Sequence, residues 1–261
     1  MFPQLLQFGP VALYSYGLLV AIAFLIALLL ASRLAGRAGL NPERVSNLGI
    51  SVAVAAIVGA KVFLIFTDFS HYAKNPGQIL SLATLQAGGV FFGGLVAALA
   101  VAAWYMRRSG LPALRTSDTF APAIALGHSI GRIGCFLAGC CWGKPADLPW
   151  AVTFTKPLAR ELVGVPLGVP LHPTQLYESA AELVIFAVLW RRFHRPHRDG
   201  AIVGLYLVLY SAFRFGIEFL RDPSELAHPF GGPISFTQWT ALALAACGIA
   251  LLTRRRGTVY P

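Results

Sequence analysis

The chain has 261 residues, 56% of them hydrophobic and only 12% charged, which is too apolar for a soluble domain with an ordinary polar surface. Its formal charge of +10 comes from 21 Lys and Arg against 11 Asp and Glu. These cations form no run and accompany no recognition motif, so composition argues against a nucleic-acid partner. Lipid must be part of the solvent, and the expected fold class is an all-α polytopic membrane protein.

The first 32 residues contain no Asp, Glu, Lys or Arg, so they lack the basic start of a secretory signal, and the apolar stretch is too long for one. They read as a retained first helix. Spans are predicted at 13–32, 46–66, 88–106, 117–136, 174–190, 200–220 and 235–252, each near the ~20 residues a bilayer requires. Helix breakers fall between them: Asn41-Pro42, Asn75-Pro76-Gly77, Leu111-Pro112, the stretch 144–173, Arg195-Pro196 and Asp222-Pro223. The spacing is too irregular for a repeat array, so the prediction is one transmembrane helical domain over 1–261 with an insertion at about 140–173.

About seven spans place the termini on opposite sides. Arg33, Arg37, Arg44, Arg107, Arg108, Arg115, Arg191, Arg192, Arg195, Arg198, Arg254, Arg255 and Arg256 all fall in one alternate set of loops. The other set holds only Lys74, Lys144, Lys156, Arg160 and Arg221. The positive-inside rule makes the first set cytoplasmic, so the N-terminus and the 140–173 insertion are expected outside and the C-terminus inside. The cluster at Arg191, Arg192, Arg195 and Arg198 is explained by topology and anionic lipid, with no catalytic role.

Three cations, Lys61, Arg132 and Arg214, lie inside predicted spans, and an ionisable group at membrane depth points to function because its desolvation is costly. Each is about fourteen or fifteen residues past the cytoplasmic start of its helix, so a rise of ~1.5 Å per residue puts all three at one level in the outer half of the bilayer. Glu218 is one turn beyond Arg214, and Glu178 enters the fifth span from the outer side. A cation ring at headgroup depth suits a phosphate, which Arg can hold bidentately, and an anionic lipid headgroup is the natural ligand. Two plainer readings stand beside it: an internal Arg214–Glu218 ion pair, and Lys61 snorkelling to the outer interface.

Three blocks carry further chemistry: Gly131-Arg132-Ile133-Gly134-Cys135-Phe136-Leu137-Ala138-Gly139-Cys140-Cys141-Trp142-Gly143, then His172-Pro173-Thr174-Gln175-Leu176-Tyr177-Glu178, and Phe213-Arg214-Phe215-Gly216-Ile217-Glu218-Phe219-Leu220-Arg221-Asp222-Pro223. Tyr16-Gly17, Gly59-Ala60-Lys61 and the pairs Gly88-Gly89 and Gly93-Gly94 support them. In this order they resemble the prolipoprotein diacylglyceryl transferase family over nearly the whole chain. The resemblance implies a multi-pass enzyme of the bacterial cytoplasmic (inner) membrane. Its reaction would move the diacylglyceryl group of phosphatidylglycerol to the lipobox cysteine thiol in the signal peptide of a secreted prolipoprotein, releasing glycerol phosphate. No metal or cofactor is implied.

That reaction needs a thiolate nucleophile, a base for the thiol proton and cations for the departing phosphate. Arg132 and Arg214 match the family's arginines and suit the last task. Glu218 is expected to orient Arg214, Glu178 with Tyr177 and Gln175 to orient the headgroup, and Tyr16 to hydrogen-bond the ester or phosphate region. Lys61, Gly93, Gly94, Gly134, Gly143 and Arg221 complete the expected substrate-binding set, although close helix packing is the default role of glycines at such spacings.

The chain departs from the family pattern at several positions. Phe92 stands where the family usually has His before a Gly pair. Cys135 and Ala138 replace two Asn, and Cys140 replaces a Glu. His128 lies four residues before Arg132 and seven before Cys135, so the three share a helix face. It is a candidate base, a candidate activator of Cys135, or a bridging histidine of the bundle. Cys135 and Cys140 are catalytic candidates as a covalent relay. With Cys141 they are also candidates for a disulfide, for zinc at a non-standard spacing, or for plain packing, the reading accepted for Cys247. Beside lipobox transfer stand two rivals: a divergent paralogue with a Cys relay and a different acceptor, and a non-catalytic lipid-binding or redox-sensing bundle.

Overall fold

The computed structural model describes all residues except 1, 10, 82–83, 85–88, 223–226, 229–231, 255–258 and 261. Gly88, Pro223, Arg255 and Arg256, singled out above, lie outside the described residues. The chain is predominantly helical and gathers into two compact units, one of residues 32–116 and one of residues 1–31 with 117–261.

The unit of residues 32–116 is built around α2 (Pro42–Thr67) and α4 (Phe91–Arg108), with the short α3 (Phe69–Lys74) and one 3₁₀ turn (Pro76–Leu80) between them. Asn41 caps α2 by accepting from the Arg44 N–H at 3.0 Å, and Pro42 supplies the pre-set first turn. Small residues let α2 and α4 nearly touch. A Cβ on Gly59 would sit 2.6 Å from the Gly93 carbonyl oxygen, and one on Gly94 2.8 Å from that of Ala56. Such contact is how helices associate where lipid removes the hydrophobic drive between them. The outward faces remain apolar: Ile57 is 66% and Leu99 62% exposed.

The other unit opens with a hairpin, β1 (Gln4–Phe8) and β2 (Val11–Tyr14), which leads into α1 (Ser15–Arg37). The long helices α5 (Ala113–Ala138), α7 (Thr174–Phe193), α8 (Ala201–Ile217) and α9 (Phe236–Thr253) follow, and α8 continues as a 3₁₀ turn at Glu218–Leu220. Gly204 and Gly248 join α8 to α9: a Cβ on Gly248 would lie 2.8 Å from the Gly204 carbonyl oxygen. Buried Asp118 of α5 accepts from the N–H groups of Gly200 at 2.7 Å and Val203 at 2.8 Å, capping α8 from a neighbouring helix. Arg198 donates to the carbonyls of Leu252, at 2.7 Å, and Arg254, so one member of the arginine cluster closes the C-terminus of α9.

Residues 139–173 are not a loose loop. They contain the ribbon β3 (Val152–Thr153) and β4 (Pro170–Leu171) and a short helix α6 (Pro157–Val163). Their own core is Trp142, Phe154, Ala159, Val165 and Leu171.

Seven long helices among the described residues overlap the seven predicted segments. Among the described residues, five of them (α1, α2, α5, α8 with its 3₁₀ extension, and α9) are long and apolar enough to cross a membrane by length and composition. The α7 helix carries Glu178, Glu182, Arg191 and Arg192, and α4 ends on Arg107 and Arg108.

Candidate active site: arginines on a shared carboxylate

Within the unit of residues 1–31 and 117–261, α5, α7 and α8 each send one or more ionisable side chains to a common buried point. Arg132 of α5 donates through Nη2 to Glu178 Oε1 on α7 at 2.8 Å, and Arg214 Nε of α8 approaches the same oxygen at 3.9 Å. Glu178 is only 1% exposed, so it is a buried anion compensated by two guanidiniums, the arrangement that makes burying it tolerable. Arg214 Nη1 also pairs with Glu218 Oε2 at 2.7 Å, one turn along. Glu218 is fixed in turn, because Ser235 Oγ donates to its Oε1 at 2.7 Å from the start of α9.

A second chain of contacts runs from Arg132. Its Nε donates to His128 Nε2 at 3.1 Å, and His128 Nδ1 lies 2.9 Å from Glu182 Oε1. With Nε2 accepting, the neutral imidazole carries its proton on Nδ1, facing the carboxylate. Glu182 is 1% exposed and its Oε2 has no hydrogen-bond partner among the described residues. The ring of Tyr210 lies 5.8 Å from that of His128.

The expected site residues are partly brought together. Arg132, Arg214, Glu178, Glu218 and His128 form one network. The described partners of His128 are Arg132, Glu182 and Tyr210; none is a cysteine. Lys61 belongs to the other compact unit, where its Nζ donates to the Thr84 carbonyl at 2.7 Å. Gly93 and Gly94 lie in that unit too, both buried in the α2–α4 contact. Gly134 sits where α5 meets α1, its added Cβ 3.5 Å from the Tyr16 Cα, while Tyr16 itself is 46% exposed. Gly143 allows three segments to converge, since a Cβ there would lie 2.6 Å from the His172 Cβ and 2.7 Å from the Leu220 carbonyl oxygen. Arg221 is buried beside it, bridged through its backbone to Gly143. Tyr177 Oη accepts from Trp150 Nε1 at 2.8 Å and lies 3.4 Å from His172 Nδ1.

Gln175 and Thr174 of α7 hold the cysteine loop. Gln175 Nε2 donates to the Cys140 carbonyl at 2.7 Å and Thr174 Oγ1 to that of Cys141 at 2.8 Å. All four cysteines are free, so the disulfide considered from sequence is not formed. Instead the Sγ atoms of Cys135, Cys140 and Cys141 lie within 4.8 Å of one another, the one described cluster of soft metal-ligating atoms. The Cys141 thiol is pushed down by hydrogen bonds from Cys135 and Cys140 and, after these, by the charges of Arg221 and Arg132, against an opposing effect of burial.

The family model described as prolipoprotein diacylglyceryl transferase matches residues 3–254. The chain belongs to the prolipoprotein diacylglyceryl transferase family. Relatives named phosphatidylglycerol–prolipoprotein diacylglyceryl transferase include one from Bordetella avium, 34% identical over 99% of this chain and 97% of the relative, and one from Vibrio cholerae, 36% identical over 96% and 90%. A third, from Vibrio atlanticus, is 33% identical over 96% of this chain and 89% of the relative. Membership of this transferase family and the several long apolar helices make the chain a multi-pass membrane protein.

Sequence reasoning missed Glu182, Ser235 and Asp118. Glu182 was readable as the next turn beyond Glu178 on one face of α7. Ser235 was readable only as the N-cap of α9, where it forms a capping box with Gln238; its bond to Glu218 and the role of Asp118 gave no local signal, because each reaches a different helix.

Proposed function

We propose that this chain transfers the diacylglyceryl group of phosphatidylglycerol to the lipobox cysteine thiol of a secreted prolipoprotein, releasing glycerol phosphate, at the outer face of the bacterial inner membrane. The observation that carries the reading is the convergence of Arg132 and Arg214 on one buried carboxylate, in a chain matched over 3–254 by the transferase family. Glu178 and Glu218 use some N–H groups of each guanidinium and fix both forks, leaving others for phosphate oxygens. Those charges are in place before the reaction, so negative charge developing on the leaving phosphate is met without reorganisation.

In the proposed step the acceptor sulfur attacks the sp³ glycerol carbon, the new C–S bond forms as the C–O bond to phosphate breaks, and the electron pair leaves with the phosphate oxygen. The thiol proton goes to His128 Nε2. That lone pair accepts from Arg132 Nε in the free protein, so phosphate drawing the Arg132 fork away exposes the base. Glu182, beside Nδ1, then stabilises the imidazolium. Phosphate capture and base release are thereby coupled through one guanidinium.

All seven long helices cross the bilayer in this reading, with the N-terminus and residues 140–173 outside and the C-terminus in the cytoplasm, as the arginine distribution supports. After native cysteines are replaced, single cysteines at Asn75 and Pro149 would be labelled by an impermeant reagent and those at Arg108 and Arg195 protected. The reverse pattern would overturn the orientation.

The function is tested with purified protein, phosphatidylglycerol and a lipobox peptide. A diacylglyceryl mass increase on the peptide cysteine is expected, lost in His128→Ala and partly recovered as pH rises toward the thiol's own pKa of ~8.5. A stable adduct on Cys135 or Cys140 would instead establish the relay to another acceptor. Lipid binding without any adduct would establish a non-catalytic lipid protein.

A further inference from the structure

We propose that Cys135, Cys140 and Cys141 form a three-thiolate site for a soft d10 cation of the zinc or copper(I) class. The inference is independent of the transferase reading: none of its three ligands is a residue assigned to phosphate or to the thiol proton.

The three sulfurs are free and lie within 4.8 Å of one another. Thiolates bonded at ~2.3 Å around one such ion sit ~4 Å apart in a trigonal plane, so the cluster needs to close by no more than about 1 Å. Soft sulfur donors select this class of ion over hard cations such as magnesium or calcium.

The backbone is shaped to bring the sulfurs together. Cys135 lies on the last turn of α5, and the chain then reverses through Gly139 at φ +88°. Cys141 has φ 62°, the one described non-glycine residue with positive φ. That conformation costs of order 1–3 kcal/mol and persists only where the surroundings enforce it. Here α7 enforces it, through Gln175 on the Cys140 carbonyl and Thr174 on the Cys141 carbonyl. The Cys140 N–H also donates to the Cys135 carbonyl at 3.2 Å. With both carbonyls engaged by α7, sulfur is left as the donor set. Cys135 is buried, whereas Cys140 and Cys141 are partly exposed, which gives an ion a route of entry. Binding releases the thiol protons to solvent.

The test uses the full chain in neutral detergent, reduced and then kept anaerobic. Cd²⁺ serves as a spectroscopic probe through its sulfur-to-metal charge-transfer band, and Zn²⁺ and Cu(I) are each titrated against a chromophoric chelator. The band should saturate at one equivalent. One equivalent of Cd²⁺, and of Zn²⁺ or Cu(I), should reduce the alkylatable cysteines from four to one, with Cys247 remaining reactive. Which of Zn²⁺ and Cu(I) protects decides the ion. Cys135→Ser, Cys140→Ser and Cys141→Ser should each weaken binding roughly 100-fold or more, while Cys247→Ser leaves it unchanged. Alkylation counts on the unmodified chain make the result independent of whether a variant folds. Four cysteines still alkylated in the presence of all three ions would overturn the proposal. So would a one-equivalent site that survives Cys140→Ser, or a disulfide forming among the three thiols in place of metal uptake.

Discussion

Replacing Glu178 by Gln removes one charge from the centre of the network with almost no change of shape. The carboxylate lies 2.8 Å from Arg132 and 3.9 Å from Arg214. With an effective dielectric constant near 20, those separations correspond to ~6 and ~4 kcal/mol of gross attraction. The variant no longer has to desolvate a carboxylate, which returns several kcal/mol, and breaking a buried pair typically costs ~3–5 kcal/mol net. Gln keeps an acceptor for Arg132, so the low end applies, about 3 kcal/mol, or a fall of roughly 6–12 °C in melting temperature for a chain of this size. The two arginines are left facing each other with one countercharge fewer, and a lipid phosphate can supply it. Melting is followed in neutral detergent with and without phosphatidylglycerol. Glu178→Gln should melt well below the unmodified protein in detergent alone, and the deficit should narrow on adding the lipid. A melting point within ~1 °C of the unmodified protein, or a deficit indifferent to the anionic lipid, would refute Glu178 as the shared countercharge of a phosphate site.

Arg132→Ala and Arg214→Ala should each lower lipobox-peptide turnover roughly 100- to 1000-fold, as loss of one charge-stabilising donor does, with Lys recovering only part because the fork is lost. Near-normal turnover in either Ala variant, measured by mass shift of the peptide, would remove that residue from the mechanism. Gly93→Ala should lower the melting temperature, since the new Cβ would lie 2.2 Å from the Phe63 Cβ and 2.7 Å from the Gly59 carbonyl oxygen; Gly17→Ala, which meets nothing within 4 Å, should not. Burial pushes the His197 imidazole below its ordinary pKa of ~6.5, so the folded state binds fewer protons than the unfolded chain. The stability this confers is present above pH ~6.5 and is lost as pH falls below it. Melting curves from pH 8 to 5 should slope downward at the acid end, less steeply in His197→Gln.

The long apolar helices, and the places of Arg132 and Arg214 on two of them, were legible because the apolar character of a helix is a local property. A helix in lipid must satisfy its own backbone and present apolar side chains, and a charge within it is conspicuous. Family order could likewise be read from three short blocks. The hairpin at Gln4–Tyr14 was not legible, nor was the folded core of residues 139–173, because short strands and a small apolar cluster carry weak periodicity. Equal depth along their helices is what grouped Lys61 with the two arginines in the sequence. Its amine is bonded to the Thr84 carbonyl within the compact unit of residues 32–116. Sequence spacing placed His128 and Arg132 on one face and the structure joins them, yet the partner that gives His128 its orientation, Glu182, comes from another helix. The three thiols show the same division. Their crowding near the end of α5 was written in the sequence. Their convergence to within 4.8 Å depends on a left-handed Cys141 held by Gln175 and Thr174, a constraint that exists only once α7 has packed against the loop. Sequence alone therefore determined which groups lie on the long helices. Tertiary packing decided which of them meet, because pairing depends on helix rotation and on caps and hydrogen bonds from chain segments 40 or more residues away that no local pattern encodes.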